Sequence, residues 1–176
     1  MDIKKLPQSS LLFVLAGLMF EFFDYRVNGI DLIFDTLGVV LVLIGLFKLA
    51  TANRSFFIAR NLKFVQLPLA IALDFNLNFE YDLTLTLLSY LFFTIFAIVS
   101  LYFLCKGIAI SAAKANIPEL SVLTMERYLI FVLLSITNFM FKFMPDFTLI
   151  ADISLIIAYV LILALIYRAK LVLWND

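Results

Sequence analysis

Between Leu83 and Cys105 the chain runs for 23 residues without a formally charged side chain. At ~1.5 Å of rise per residue, a helix of that length crosses the ~30 Å hydrocarbon core of a bilayer. Lipid offers no partner to backbone amides, so such a run must satisfy them within its own segment and is expected to be a membrane-spanning α-helix. The remaining residues agree. Hydrophobic side chains make up 65% and charged ones 15% of the sequence, against about 45–50% and 25% in soluble domains. A water-soluble fold of 176 residues could not cover its surface with so few polar groups. The composition excludes a soluble enzyme, a nucleic-acid binder and a disordered linker. The expected fold class is all-α: a polytopic membrane protein forming one membrane domain over residues 1–176.

Five further stretches read as spans, at 6–23, 32–50, 62–78, 126–143 and 147–167, each with an ionisable residue in or beside one end. With 83–105 they make six transmembrane helices, arranged as three consecutive helical hairpins. The first follows Lys4 and Lys5 in the manner of a secretory signal, but it ends in Phe20-Glu21-Phe22-Phe23-Asp24 with no small-residue cleavage site. It is expected to stay as an uncleaved first helix. The alternative is four spans with two buried half-helices. Segment 62–78 is the foremost candidate for a half-helix, being short and carrying Gln66 and Pro68. Proline removes a backbone donor there and predicts a kink.

Charge tests the six-span count independently. Six crossings put Lys4, Lys5, Lys48, Arg54, Arg60, Lys63, Lys106, Lys114, Arg127, Arg168 and Lys170 on one face. The other face receives Arg26 and Lys142 with nine of the thirteen acids. Basic residues in short loops stay cytoplasmic, so both termini are expected in the cytoplasm and the chain in the cell (inner) membrane. Three tight outer connections each end in an aspartate before a returning helix, at Asp31, Asp82 and Asp146. An aspartate there can accept from a free first-turn amide and complement the helix dipole, so these three are expected caps. Their recurrence suggests a triplicated hairpin, although other identities between the units are few.

The inner connections are longer and basic. Segment 48–63 mixes Phe56, Phe57 and Ile58 with Arg54, Arg60 and Lys63. It reads equally as a stretch lying at the headgroup boundary and as an ordinary cytoplasmic loop. In the second, Asn116-Ile117-Pro118-Glu119 reads as the start of a helix. Gly38 and Gly45 share a face, and Gly107-x-x-x-Ser111 and Ala109-x-x-x-Ala113 extend the fourth span. These small residues are expected at internal helix contacts, because close backbone approach holds helices together in lipid. Hydroxyls within spans can bond a carbonyl one turn back. Asn138 has no such outlet and should face protein or water.

Little here can carry covalent chemistry. The chain has no histidine and one cysteine, Cys105, which leaves no His-based metal site, no catalytic triad and no internal disulfide. Cys105 is expected to be a packed small residue, with palmitoylation at the membrane edge as the other reading. Asn28-Gly29-Ile30-Asp31 lacks the first glycine of the intramembrane aspartyl-protease motif. No enzyme activity, cofactor or metal is expected. One constellation remains: Glu21, Asp35, Asp74, Lys142 and Asp152 lie about one turn inside the outer ends of five spans. Ionisable groups at such depth face the bundle interior or a wet cavity and pair with one another. They would line an outward-open vestibule for a cationic or zwitterionic solute, with Lys142 as its fixed cation. The competing reading leaves them among lipid headgroups.

The run Gly29-Ile30-Asp31-Leu32-Ile33-Phe34-Asp35-Thr36-Leu37-Gly38, continued by Leu43-Ile44-Gly45-Leu46, resembles a motif of small multi-spanning bacterial membrane proteins of unassigned function. Those proteins carry Ile-Asp, a proline, then Asp-x-x-Gly at the start of the second helix; Phe34 stands at the proline position here. The likeness covers residues 28–60 and implies a bacterial inner-membrane protein. In size and topology the chain is also similar to the substrate-capturing subunits of energy-coupling-factor vitamin transporters. It lacks their Ala-x-x-x-Ala docking motif, since Ala16 is followed four later by Phe20. The expected function is a non-catalytic subunit of a larger, transport-related membrane complex, with the lipid bilayer and other membrane subunits as partners and no nucleic acid. A self-contained carrier or channel for a small solute is the alternative, and an intramembrane enzyme is the least supported.

Overall fold

A computed structural model describes residues 8–22, 26–27, 30–31, 35–74, 83–141 and 148–173. They form six helices: α1 (Gln8–Phe22), α2 (Asp35–Leu49), α3 (Arg54–Asp74), α4 (Leu83–Lys114), α5 (Pro118–Phe141) and α6 (Thr148–Val172). Between α1 and α2 a two-residue antiparallel ladder joins β1 (Arg26–Val27) to β2 (Ile30–Asp31). Each helix packs on the next in sequence, and α1 also packs on α6. The main core draws on every helix, with Leu11, Leu46, Phe56, Ile108, Leu120 and Ile162 fully buried in it, and a smaller cluster joins Val39 and Leu43 of α2 to Ala70 of α3. Large apolar side chains also point outward all round, among them Met19, Phe47, Leu91, Leu133 and Ile156. A bundle that is apolar both inside and out matches lipid as its solvent.

Four helices contain stretches long and apolar enough to cross a membrane: Arg54–Asp74, Leu91–Lys114, Pro118–Asn138 and Asp152–Val172. The short ones are α1 and α2, at 15 residues each, or about 22 Å of axis. Segment 62–78 is therefore not the half-helix that its length suggested. Its residues 62–74 belong to α3, which starts at Arg54 and runs on through Pro68 to Asp74. The early start has a local cause. Asn53 Oδ1 accepts from the amides of Ser55 and Phe56 at 3.0 and 3.2 Å, which satisfies first-turn donors. Asn53 Nδ2 meanwhile donates to the Gly107 carbonyl and to Ser111 Oγ on α4. Phe56 lies flush on Gly107, where an added Cβ would come within 2.5 Å of its ring. The 48–63 connection thus contracts to a turn over residues 50–53.

The second basic connection contracts too. Helix α4 runs past Cys105 to Lys114, and Asn116 closes it in the left-handed conformation at φ 58°. The amides of Ile117 and Asn116 donate to the carbonyls of Ala112 and Ala113, two hydrogen bonds that satisfy the last turn of α4. Pro118 begins α5, as the Asn-Ile-Pro-Glu string foretold, but Asn116, expected there as the cap of the new helix, instead ends α4. Cys105 is fully buried, in line with a packing role.

Helices α1 and α2 touch backbone to backbone. A Cβ on Gly17 would sit 2.6 Å from the Gly38 carbonyl, and one on Gly45 would collide with the Ser10 carbonyl. The pairings 17 with 38 and 10 with 45 run in opposite directions along the two helices. The glycines are internal contacts, as the spacing of Gly38 and Gly45 implied.

Candidate functional site

Lys63 lies nine residues beyond the start of α3, about 14 Å along the axis. Its Nζ donates to Glu21 Oε2 of α1 at 2.5 Å, and the two side chains are only 3% and 4% exposed. The sequence reading placed Lys63 on the basic inner face. That placement is corrected: the ammonium is inside the bundle, held by a carboxylate from the opposite end of the charge pattern. Desolvating either ion alone costs several kcal/mol, and only a partner at contact distance offsets most of it. The pair is thus a matched unit.

The pair borders a cavity of about 290 Å³ between α1, α3, α4, α5 and α6. Its apolar wall includes Leu18, Phe22, Ile98, Phe131 and Tyr159, and its polar groups include Thr94, Ser135 and Asn138. Phe22 stacks on Tyr159 at 4.0 Å between centroids, and Phe131 closes the cluster at 5.6 Å from Tyr159. Two atoms of the lining residues, Glu21 Oε1 and Ser135 Oγ, are buried without a hydrogen-bond partner among the described residues. On α3, one turn from Lys63, the fully buried Gln66 likewise has neither amide atom partnered. Buried polar atoms of this kind cost about 1–3 kcal/mol each unless something satisfies them. The cavity therefore combines a fixed positive charge, a fixed negative charge with spare acceptor capacity, and an aromatic wall.

No protein-family model, characterised protein or solved structure matches this chain. The site must be read from its own geometry.

Of the five charges expected to share an outer vestibule, Glu21 is the one that lines the cavity among the described residues. Its cation is Lys63, in the place foreseen for Lys142, which lies outside the described residues. Asp74 ends α3 and accepts the Thr36 amide of α2 at 2.8 Å. It thus caps the start of a neighbouring helix. Asp35 is the first residue of α2, and Asp152 is exposed on α6. Among the expected caps, Asp31 sits in β2, paired with Arg26 and four residues ahead of α2. The Thr36 amide in that first turn is met by Asp74. Asp82 and Asp146 lie outside the described residues. Asn138 faces the cavity, as its chemistry required. Ser100 and Thr137 bond carbonyls one turn back at 3.0 and 2.9 Å.

Lys63 was missed because the hydropathy window that defined the third span opened at residue 62 and treated the lysine as its flank. The available signal was a polar stripe: Lys63, Gln66 and Asp74 recur at three and eight residues on one helix.

Proposed function

We propose that this chain is a multi-pass membrane protein that binds a small zwitterionic solute, with an apolar or aromatic body, in the cavity beside Lys63 and Glu21. The observation that carries this reading is the ion pair itself: two opposite charges at the wall of a cavity between five helices, one of them with an oxygen unpartnered among the described residues. Intramembrane ionisable residues at such positions mark solute or ion pathways. An ammonium group would meet Glu21 Oε1, a carboxylate would meet the remaining donors of Lys63, and the body would lie against Phe22, Phe131 and Tyr159. A purely cationic solute fits less well, because Lys63 already neutralises Glu21, the acid that lines the cavity among the described residues. The role is binding and carriage, with no bond made or broken.

On this reading all six helices cross the cell membrane, as three hairpins. Outward apolar residues on the two short helices support this, Leu12 and Met19 on α1 and Leu37 and Phe47 on α2. A local thinning of the bilayer accommodates helices of this length at modest cost. With Lys63 and Glu21 withdrawn into the bundle, ten basic residues still oppose two across the membrane. That imbalance supports cytoplasmic termini.

The alternative, a docking subunit of a larger transport complex, is separated by one experiment. The chain is purified in mild detergent, and its small-molecule and protein companions are identified by mass spectrometry after denaturation. Release of a zwitterion from wild type, and not from a Glu21→Leu/Lys63→Met variant, is the expected result. Stoichiometric retention of a second membrane subunit with no such solute would overturn it.

A further inference from the structure

Arg60 lies six residues into α3, about 9 Å from its start, and on the outer surface of the bundle rather than in the cavity. Its guanidinium carbon sits 5.3 Å from the Phe47 ring centre and 4.6 Å from that of Phe57. Phe64 stands edge-on to Phe47 at 5.4 Å. All three rings are about half exposed, at 50%, 44% and 44% for Phe47, Phe57 and Phe64. The guanidinium is thus laid across an outward-facing aromatic shelf and pinned by Asn61, whose Oδ1 accepts from Nε and Nη2. Two of the five N–H groups of an arginine are used in this way, which leaves three in a planar fork. No carboxylate among the described residues reaches it.

We infer that Arg60 and the Phe47–Phe57–Phe64 shelf form a binding site for the phosphate of an anionic phospholipid. The chemistry is contiguous: an apolar shelf for an acyl chain, and beside it a charged fork that matches phosphate geometry. A guanidinium one to two turns inside a membrane helix needs an anionic or carbonyl partner, and phosphodiesters are the plentiful acceptors at that depth. The acidic headgroup is preferred over a zwitterionic one for a definite reason. The described residues supply no carboxylate beside Arg60 to receive a choline or ethanolamine, and the residue that follows Phe47 in sequence is the exposed cation Lys48. This inference rests on the membrane reading above and is independent of the cavity.

The test is native mass spectrometry of the full chain released from vesicles of equal phosphatidylglycerol and phosphatidylcholine. Wild type should retain phosphatidylglycerol over phosphatidylcholine. Arg60→Gln should lower that retention about tenfold, the size of one charge-assisted hydrogen bond. Phe47→Ala/Phe57→Ala should lower total lipid retention, and Lys114→Gln, an exposed cation elsewhere, should change neither. Unchanged thermal melting of Arg60→Gln in detergent keeps the comparison valid; if that variant melts early, Arg60→Lys, which keeps charge without the fork, should still retain less lipid than wild type. Equal retention of the two lipids by wild type, an unaltered Arg60→Gln, or an equal loss in Lys114→Gln would overturn the site. So would displacement of the lipid by millimolar inorganic phosphate, since the recognised group would then be a soluble ion. Failure of the chain to enter vesicles at all would instead sink the membrane reading.

Discussion

Lys63 and Asp152 show how much a side chain's surroundings decide the cost of its charge. Asp152 is exposed on α6, so Asp152→Asn should leave the melting midpoint within about 0.5 kcal/mol of wild type. Glu21→Gln leaves the buried Lys63 ammonium facing a neutral amide. It should cost about 3–5 kcal/mol, read by thermal melting in detergent. Gln66 predicts the opposite sign. Both of its amide atoms are buried without partners, so Gln66→Leu should stabilise the chain by about 1–3 kcal/mol in the same assay. At this scale the sequence was legible in part. Glu21 stood out because a carboxylate interrupts an apolar run, whereas Lys63 blended into a cluster of cations with Lys48, Arg54 and Arg60. Hydropathy does not distinguish a lysine that faces inward from one that faces headgroups. The helix register does, and that depends on where Asn53 begins α3.

Helix boundaries follow from such caps, and so do the predictions at the level of elements. Asn53 holds two first-turn amides of α3 and two groups of α4 at once. Asn53→Ala should destabilise by about 0.5–2 kcal/mol, at the upper end because partners on two helices are released. Asn116 occupies a left-handed conformation at φ 58°. Asn116→Gly should therefore be tolerated, while a β-branched Asn116→Val should lower stability by about 1–2 kcal/mol. Gly45→Leu would force α1 and α2 apart at the Ser10 carbonyl and should cost about 1–3 kcal/mol or more by the same melting assay. Helix identity and the small-residue contacts were legible because composition and spacing determine them. The basic connections were not, because hydropathy alone takes a cationic helical turn for a loop. The Asn28-Gly29 pair between Val27 and Ile30 was an unused hairpin signal; the flanking residues do form β1 and β2.

Across the whole molecule, an apolar outer surface and an ion pair at a cavity between five helices are parts of one arrangement. The outward apolar surface is compatible with lipid as solvent, and on the proposed reading the Lys63–Glu21 pair is the feature around which a solute is recognised. Single cysteines placed at Thr51 and Lys114 in a Cys105→Ala background should label from one side of sealed vesicles, and one at Ile30 from the other. The central claim, that Lys63 and Glu21 neutralise each other inside the bundle, is tested most directly by exchanging them. Glu21→Lys and Lys63→Glu should each fold poorly, while the double exchange restores most of the wild-type melting midpoint. Single variants that melt like wild type, or an exchange no more stable than either single change, would contradict it.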